Sequence, residues 1–211
     1  MGVLVIDIGT SGLRAGLVRH DGTLHFLNYE ACRPDTPTPG LVEFDAQKLA
    51  EAALRVCNLT IEQSRKTDKI VAVGITNQRA STVIWSKSTG KPFGPALGWQ
   101  DLRTVGECIT AHAEHGIKLA PNQTATKAAW ILKHYIDANK IDHRDVCIGT
   151  VDSFIAATLS NNQLHVTDSS NAAVTGLCEL DAQSWSPRLC EILLVDISTL
   201  PKIVTSWGVL G

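Results

Sequence analysis

The sequence predicts a mixed α/β fold extending over residues 1–211 as one domain. Three short strand-like runs stand close together near the start, joined by tight-turn residues, and helical periodicity begins only after them. Beyond that point strand-like and helix-like segments alternate, with no internal repeat, low-complexity stretch or compositional break that would mark a linker.

Residues 3–8 are apolar, β-branched and closed by Gly9, as suits a buried strand. Residues 13–19 form a second run, Asp21-Gly22 is a hairpin turn, and residues 23–29 return as a third strand, so the first three strands are expected to be antiparallel. Pro34, Pro37, Pro39 and Gly40 make a loop, after which Asp45 is placed to cap a helix with Leu49, Ala53, Val56 and Cys57 on one face. Residues 70–75 and 82–85 are further strands, and the polar connection 76–81 lies at a strand end. Helical spacing returns over 101–115 and 126–138. Residues 147–159 read as mostly apolar and helical behind Asp152 as a cap, and 165–177 as strand and turn. This order is what an actin-like, ribonuclease-H-like domain would give, a mixed sheet flanked by helices.

Bulk composition excludes several function classes. The chain is 44% hydrophobic and 19% charged, which a folded protein affords and a disordered one does not. Its formal net charge of -2 leaves no basic field for nucleic acid or anionic lipid, so a small-molecule ligand is expected. The six cysteines are scattered without a C-x-x-C pair or zinc spacing and read as reduced thiols. With no signal-peptide pattern and no apolar stretch long enough to span a bilayer, a cytoplasmic location without membrane association is expected.

The motif with the clearest chemistry comes first. Asp7-Ile8-Gly9-Thr10-Ser11-Gly12-Leu13-Arg14 sets a carboxylate at the end of a buried strand and follows it with small residues in a tight turn. Such a turn aims backbone N–H groups at phosphate oxygens, Thr10 and Ser11 add hydroxyls, and Asp7 is able to hold Mg²⁺ through water. A plain hairpin, with glycines that serve only the turn, explains the same residues. The D-x-G-T-S-x-x-R-A string resembles the first phosphate motif shared by sugar kinases, Hsp70 proteins and actin, in the form found in FGGY carbohydrate kinases. The resemblance implies ATP with Mg²⁺ as cofactors, phosphate contacts from Thr10, Ser11, Gly12 and Arg14, and the metal at Asp7.

Further segments resemble the same family, and within it glycerol kinase. Gly74 to Trp85 contains a Gln78-Arg79 pair at a strand end, where a guanidinium donates two hydrogen bonds to adjacent hydroxyls, although an Arg paired with a surface carboxylate fits as well. The glycerol-binding Glu that follows the pair in the family is Ala80 in this sequence. Gly98-Trp99-Gln100-Asp101-Leu102-Arg103 resembles the element opening a helix beside the sugar pocket, with Trp99 as an apolar face and Asp101 either a ligand or a cap. Residues 121–134 resemble the first FGGY signature around Lys127 and Trp130, which also read as structural, and the aromatic glycerol contact of that signature is Asn122 in this sequence. On the resemblance, Gln78, Arg79, Ala80, Trp99, Asp101 and Asn122 line the substrate site, but Ala80 and Asn122 do not carry glycerol specificity with them. Asp168 and His165 read as a turn former and a packed imidazole in preference to catalysts.

The resemblance also implies what the residues up to Gly211 do not contain: the catalytic aspartate of a G-x-x-x-D-Q segment, and the C-terminal nucleotide-binding domain. The expected function is therefore the N-terminal part of an ATP-dependent sugar or polyol kinase, inactive by itself, with a small polyol or sugar as substrate and with homo-oligomers possible where apolar surface lies open. A non-catalytic polyol-binding or interaction module derived from such a kinase is the alternative.

Overall fold

A computed structural model describes residues 1–210. The strands are β1 (Gly2–Ile8), β2 (Gly12–Arg19), β3 (Leu24–Ala31), β4 (Glu43–Phe44), β5 (Ile70–Asn77), β6 (Thr82–Ser86), β7 (Ala96–Leu97), β8 (Val146–Thr150), β9 (Val166–Asp168) and β10 (Lys202–Val204). The α-helices are α1 (Ala46–Ser64), α2 (Val105–His115), α3 (Thr124–Ile131), α4 (Val151–Leu159), α5 (Ser169–Ala172) and α6 (Pro187–Ile192). Two compact units divide them, residues 1–34 with 47–78 and residues 35–46 with 79 onward.

The first unit is a mixed sheet in the order β3-β2-β1-β5, with β1 antiparallel to β2 and parallel to β5. Alternation along β1 buries Leu4, Ile6 and Ile8 on the face that α1 covers with Leu49, Ala53, Val56 and Cys57, as their spacing predicts. The expected three-stranded meander is present, and α1 begins one residue after Asp45. β5 is an edge strand and leaves Val71 and Val73 exposed.

Sequence periodicity does not reveal a bulge in β3. The β2–β3 register slips between Ala15 and Leu17, and Phe26 takes a left-handed φ of 53°. Buried carbonyls freed by a bulge need other partners. Asn28 Nδ2 donates to the Phe26 carbonyl and to Thr60 Oγ1, each at 3.0 Å, and the one proton of the buried Thr60 hydroxyl is shared among the Ala15, Phe26 and Val56 carbonyls at 3.2, 3.1 and 3.0 Å.

The second unit has the sheet β4-β7-β6-β8 and a separate parallel pair, β9 with β10. Every residue of β6 and β8 is buried, because both faces of this sheet are covered. Ile84, Leu97 and Ile148 pack with Ala125, Ala128, Ile131 and Leu132 of the α3 segment. Trp85 packs edge-on against Phe154 of α4 and against the His165 ring.

Three boundaries differ from the sequence reading. The helix expected from residue 101 begins at Val105, because Asp101 holds the preceding residues in a turn by accepting the Arg103 N–H at 3.0 Å. The helix expected over 126–138 begins at Thr124 and widens into a π-helical turn at Leu132–Asp137. Residues 146–150 are strand, and Thr150 occupies the α4 cap position, so Asp152 is not the cap. Asp152 instead accepts hydrogen bonds from the Thr150 and Thr167 hydroxyls inside the first turn, and burial raises its pKa.

Replacing Thr60 by Val keeps the volume of the α1 face but leaves the buried Ala15 carbonyl without its hydroxyl donor, while the Phe26 carbonyl keeps Asn28. Urea unfolding of the Thr60→Val variant is expected to show a loss of about 1–3 kcal/mol, the cost of an unsatisfied buried polar group; an unchanged midpoint would contradict this role.

Candidate functional site

The turn between β1 and β2 is closed by the Gly9 N–H donating to the Gly12 carbonyl at 2.9 Å. Gly12 has a local structural cause, since a Cβ there would meet Tyr29 Oη at 2.6 Å and the Glu30 carbonyl at 2.7 Å. Ser11 is exposed at the tip, and its carbonyl accepts from the Cys32 N–H at 3.2 Å. Arg14 Nη1 lies 3.3 Å from Asp7 Oδ2, both side chains about half exposed at 47% and 46%, and the guanidinium sits over the Tyr29 ring at 5.2 Å. The turn thus gathers Asp7, Thr10, Ser11, Gly12 and Arg14 on one edge of the first sheet. Among the described residues no cluster of three or more His, Cys, Asp or Glu side chains is placed to hold a metal. Asp7 would be a lone protein carboxylate there, which suits a metal that keeps most of its water.

In the second unit, Arg79, Ala80, Trp99 and Asn122 line one cavity of about 400 Å³ together with Gln123 and Val174. Buried hydroxyls outside the lining bond to the backbone of two lining residues. The Ala80 carbonyl accepts from Thr82 Oγ1 at 3.3 Å and Thr124 Oγ1 at 3.4 Å, and Ser81 Oγ accepts from the Trp99 N–H at 3.0 Å. Ala80 adopts a left-handed φ of 62°, uncommon for a residue with a Cβ, and the hydroxyl contacts hold it there. Gln123 was not singled out from sequence, although it adjoins Asn122 in the signature segment. Its Oε1 accepts from the Ala120 N–H at 2.9 Å, which orients the amide and leaves its nitrogen and one oxygen lone pair for a ligand. Gly176, at φ 75°, makes room for it, since a Cβ would fall 3.0 Å from Gln123 Oε1. Val174 carries no motif that would have announced it.

Two of the expected substrate residues are not in this cavity. Gln78 belongs to the first unit, where its N–H extends the sheet by donating to the Ile8 carbonyl at 2.7 Å. Asp101 is fully buried and makes neither a ligand of the cavity nor the cap of α2, whose cap position is Thr104. Its Oδ2 accepts from the Val42 N–H at 2.6 Å and its Oδ1 from Arg103 Nε at 2.8 Å. Arg103 also donates to Glu43 Oε1 at 2.7 Å and lies over the Trp130 ring at 4.7 Å. Burial pushes the Asp101 pKa up, but the bonds from Arg103 and the Val42 N–H outweigh it and hold the carboxyl below its ordinary value. Asp101 is turned inward for a physical reason: Arg103, two residues on, and the Val42 N–H together satisfy both of its oxygens in the interior.

Lys127 and Trp130 flank this buried pair, consistent with structural roles. Trp130 stacks on His134 at 4.1 Å. Lys127 is fully buried, and its Nζ has no hydrogen-bond partner. Burial depresses its pKa to about 8, with the Asp101 charge opposing the fall. His165 packs on Trp85 with Nε2 3.0 Å from the Ile148 carbonyl, and Asp168 caps α5 by accepting the Asn171 N–H at 2.9 Å, so both are structural as the sequence suggested.

Comparison with known proteins decides the ancestry. Residues 2–211 match the FGGY family of carbohydrate kinases, N-terminal domain. The chain belongs to the FGGY family of carbohydrate kinases. It is 36% identical over 220 aligned residues to a glycerol kinase of Trichlorobacter lovleyi, an alignment covering 99% of this chain and 44% of that protein. Among solved structures, Plasmodium falciparum glycerol kinase with ADP superposes with a TM-score of 0.87 at 24% identity, covering 96% of this chain and 42% of that one. Xylulose kinase from Rhodospirillum rubrum gives a TM-score of 0.86 at 19% identity, covering 97% and 43%. The chain spans less than half the length of the relatives it matches. The neighbours confirm the actin-like, ribonuclease-H-like FGGY fold, with mixed sheets flanked by helices. No helix of the described residues is long and apolar enough to cross a membrane.

The buried lysine generates a pH-dependent prediction. Below about pH 8 Lys127 is charged in the folded and unfolded chains alike and the desolvation cost is complete. Between there and the ordinary 10.5 the folded protein sheds a proton that the unfolded chain keeps, so this group makes stability rise with pH. Lys127→Met is expected to stabilise the protein near pH 7 by up to about 3 kcal/mol, with the gain shrinking towards pH 10.5. Denaturant melts at both pH values check it; a destabilised variant with no pH-dependent difference would show that Lys127 has a stabilising partner.

Proposed function

We propose that this chain is the substrate-binding part of an ATP-dependent FGGY carbohydrate kinase, a phosphotransferase acting on an alcohol acceptor. The observation that carries the reading is the convergence of Arg79, Trp99, Asn122 and Gln123 on one cavity in an FGGY N-terminal domain. An indole face suits the C–H side of a small carbohydrate, and a guanidinium with two amides supplies directed hydrogen bonds. Arg79 has no ion-pair partner among the described residues, so its donors are available to a ligand. Ala80 sets the size of the cavity wall.

On this reading the β1–β2 turn holds nucleotide phosphate with Thr10, Ser11, Gly12 and Arg14, and Asp7 holds Mg²⁺ through water. The Asp7–Arg14 pair has a matching polarity: its carboxylate suits the metal and its guanidinium suits the phosphate. Mg²⁺ supplies charge neutralisation for phosphoryl transfer. The Gly9 N–H is already spent on closing the turn, so it contributes shape and not a phosphate contact. Transfer also needs a group that takes the proton of the acceptor hydroxyl. No carboxylate lines the Arg79 cavity among the described residues, so this pocket binds and orients the acceptor and the base comes from elsewhere.

Titration of the ¹⁵N-labelled chain with a panel of polyols, ketoses and sugar acids tests the assignment. Ligands of the site are expected to move the Trp99 indole and the Asn122 and Gln123 side-chain amide signals, and Arg79→Ala is expected to weaken that binding by roughly 10-fold or more, the loss of a charge-assisted bond pair. A panel that leaves all three signals in place would end the reading.

A further inference from the structure

The donors and acceptors of the Arg79 cavity are unequal in number, and the imbalance selects a ligand. Arg79 brings a positive charge and five N–H donors with no acceptor. Gln123 Oε1 already accepts from the Ala120 N–H, so Gln123 offers its two N–H donors and one remaining oxygen lone pair. The Ala80 carbonyl is occupied by the Thr82 and Thr124 hydroxyls. Ser81 Oγ is buried and already accepts from the Trp99 N–H, and Ala80 and Val174 present hydrocarbon. Asn122 Oδ1 and the remaining lone pair of Gln123 Oε1 are the side-chain acceptors on the wall, and both are uncharged. Asp101, the nearest acid in sequence, is buried in its pair with Arg103.

A neutral polyol fits such a wall poorly. Each of its hydroxyls brings a proton that needs an acceptor, and the lining side chains offer those protons only neutral amide oxygens and no carboxylate. A carboxylate accepts only, carries the charge opposite to Arg79, and matches the guanidinium fork with two parallel bonds. The Trp99 face then takes the C–H side of the hydroxylated carbons. We infer that the acceptor substrate of this chain is a hydroxy acid, a small polyhydroxylated carboxylate whose anionic end lies on Arg79 with the Gln123 amide beside it. The inference rests on the reading of this cavity as the substrate site and adds the charge of what it takes.

Glycerol, glycerate and glycerol 3-phosphate differ at one end only, and each is titrated into the 211-residue chain while the Trp99, Asn122 and Gln123 side-chain signals are followed. Glycerate is expected to bind roughly 10-fold tighter than glycerol, as a charge-assisted bond pair warrants, and to weaken as salt is raised. Arg79→Gln is expected to bring glycerate down to the level of glycerol. Ala80→Glu restores a carboxylate acceptor to the wall and is expected to reverse the order; circular dichroism verifies that both variants fold. Glycerol binding as tightly as glycerate at these signals would overturn the inference and leave the site in place. A preference for glycerol 3-phosphate over glycerate would also overturn it, because a phosphoryl group is then what the wall reads. If no compound of the three moves the pocket signals, and the wider panel does not either, the site reading itself fails and the inference goes with it.

Discussion

The second unit depends on one buried ion pair. Asp101 and Arg103 are two residues apart, and together they bind Val42, Glu43 and Trp130, which come from two other segments of the unit. Desolvating two charges is costly, and such a pair is tolerated only when the remaining lone pairs and N–H groups are also satisfied. That condition is met: both Asp101 oxygens accept, and Arg103 spends its fork on Asp101 and Glu43 and its face on Trp130. Removing one partner would strand the other in the interior, a loss of about 3–5 kcal/mol for pairs of this kind. Backbone bonds beside the pair close the turn that presents Trp99: the Asp101 N–H donates to the Gly98 carbonyl at 3.0 Å and the Gly98 N–H to the Val42 carbonyl at 2.8 Å. The cavity wall is thus held from beneath by residues that do not line it.

Lys127 belongs to the same electrostatic neighbourhood and has the opposite character. Asp101 favours its charge, Arg103 disfavours it, and burial dominates both. Two cations share this interior region with Asp101 and Glu43, and only Arg103 reaches them with hydrogen bonds. A match to the family signature at Lys127 and Trp130 therefore reports on the support of the cavity and not on its lining.

The sequence made the first sheet legible because alternation and an Asp-Gly turn are local signals, and β1, β2, β3 and α1 follow from residues a few positions apart. The Phe26 bulge was hidden, since one of the side chains that meets its carbonyl, Thr60, lies more than thirty residues later. The cavity was legible through Arg79, Ala80, Trp99 and Asn122, each carried by a motif. Asp101 was misread because a Trp-x-Asp string does not say which way the carboxylate faces, and the decision is made by Val42 and Arg103 in three dimensions. Gly12 shows the converse. Its fit to a phosphate motif and its close packing on Tyr29 are independent reasons for the same residue, so its presence alone does not distinguish a phosphate turn from a hairpin.

Position 80 separates the scaffold from the specificity. Its carbonyl is fixed by the Thr82 and Thr124 hydroxyls and its neighbour Ser81 is tied to Trp99, so the backbone of the wall is determined without any contribution from the side chain at 80. The left-handed φ is costliest for β-branched residues, and unbranched side chains such as Ala and Glu meet a similar cost there. The side chain is consequently free to change the chemistry of the wall with little consequence for folding. A carboxylate there makes the wall an acceptor, whereas the methyl group of Ala80 leaves Arg79 and Gln123 to define it as a donor surface. One substitution on a fixed backbone is enough to change which ligands leave a polar group unpaired, and that penalty is where discrimination between polar substrates is largest.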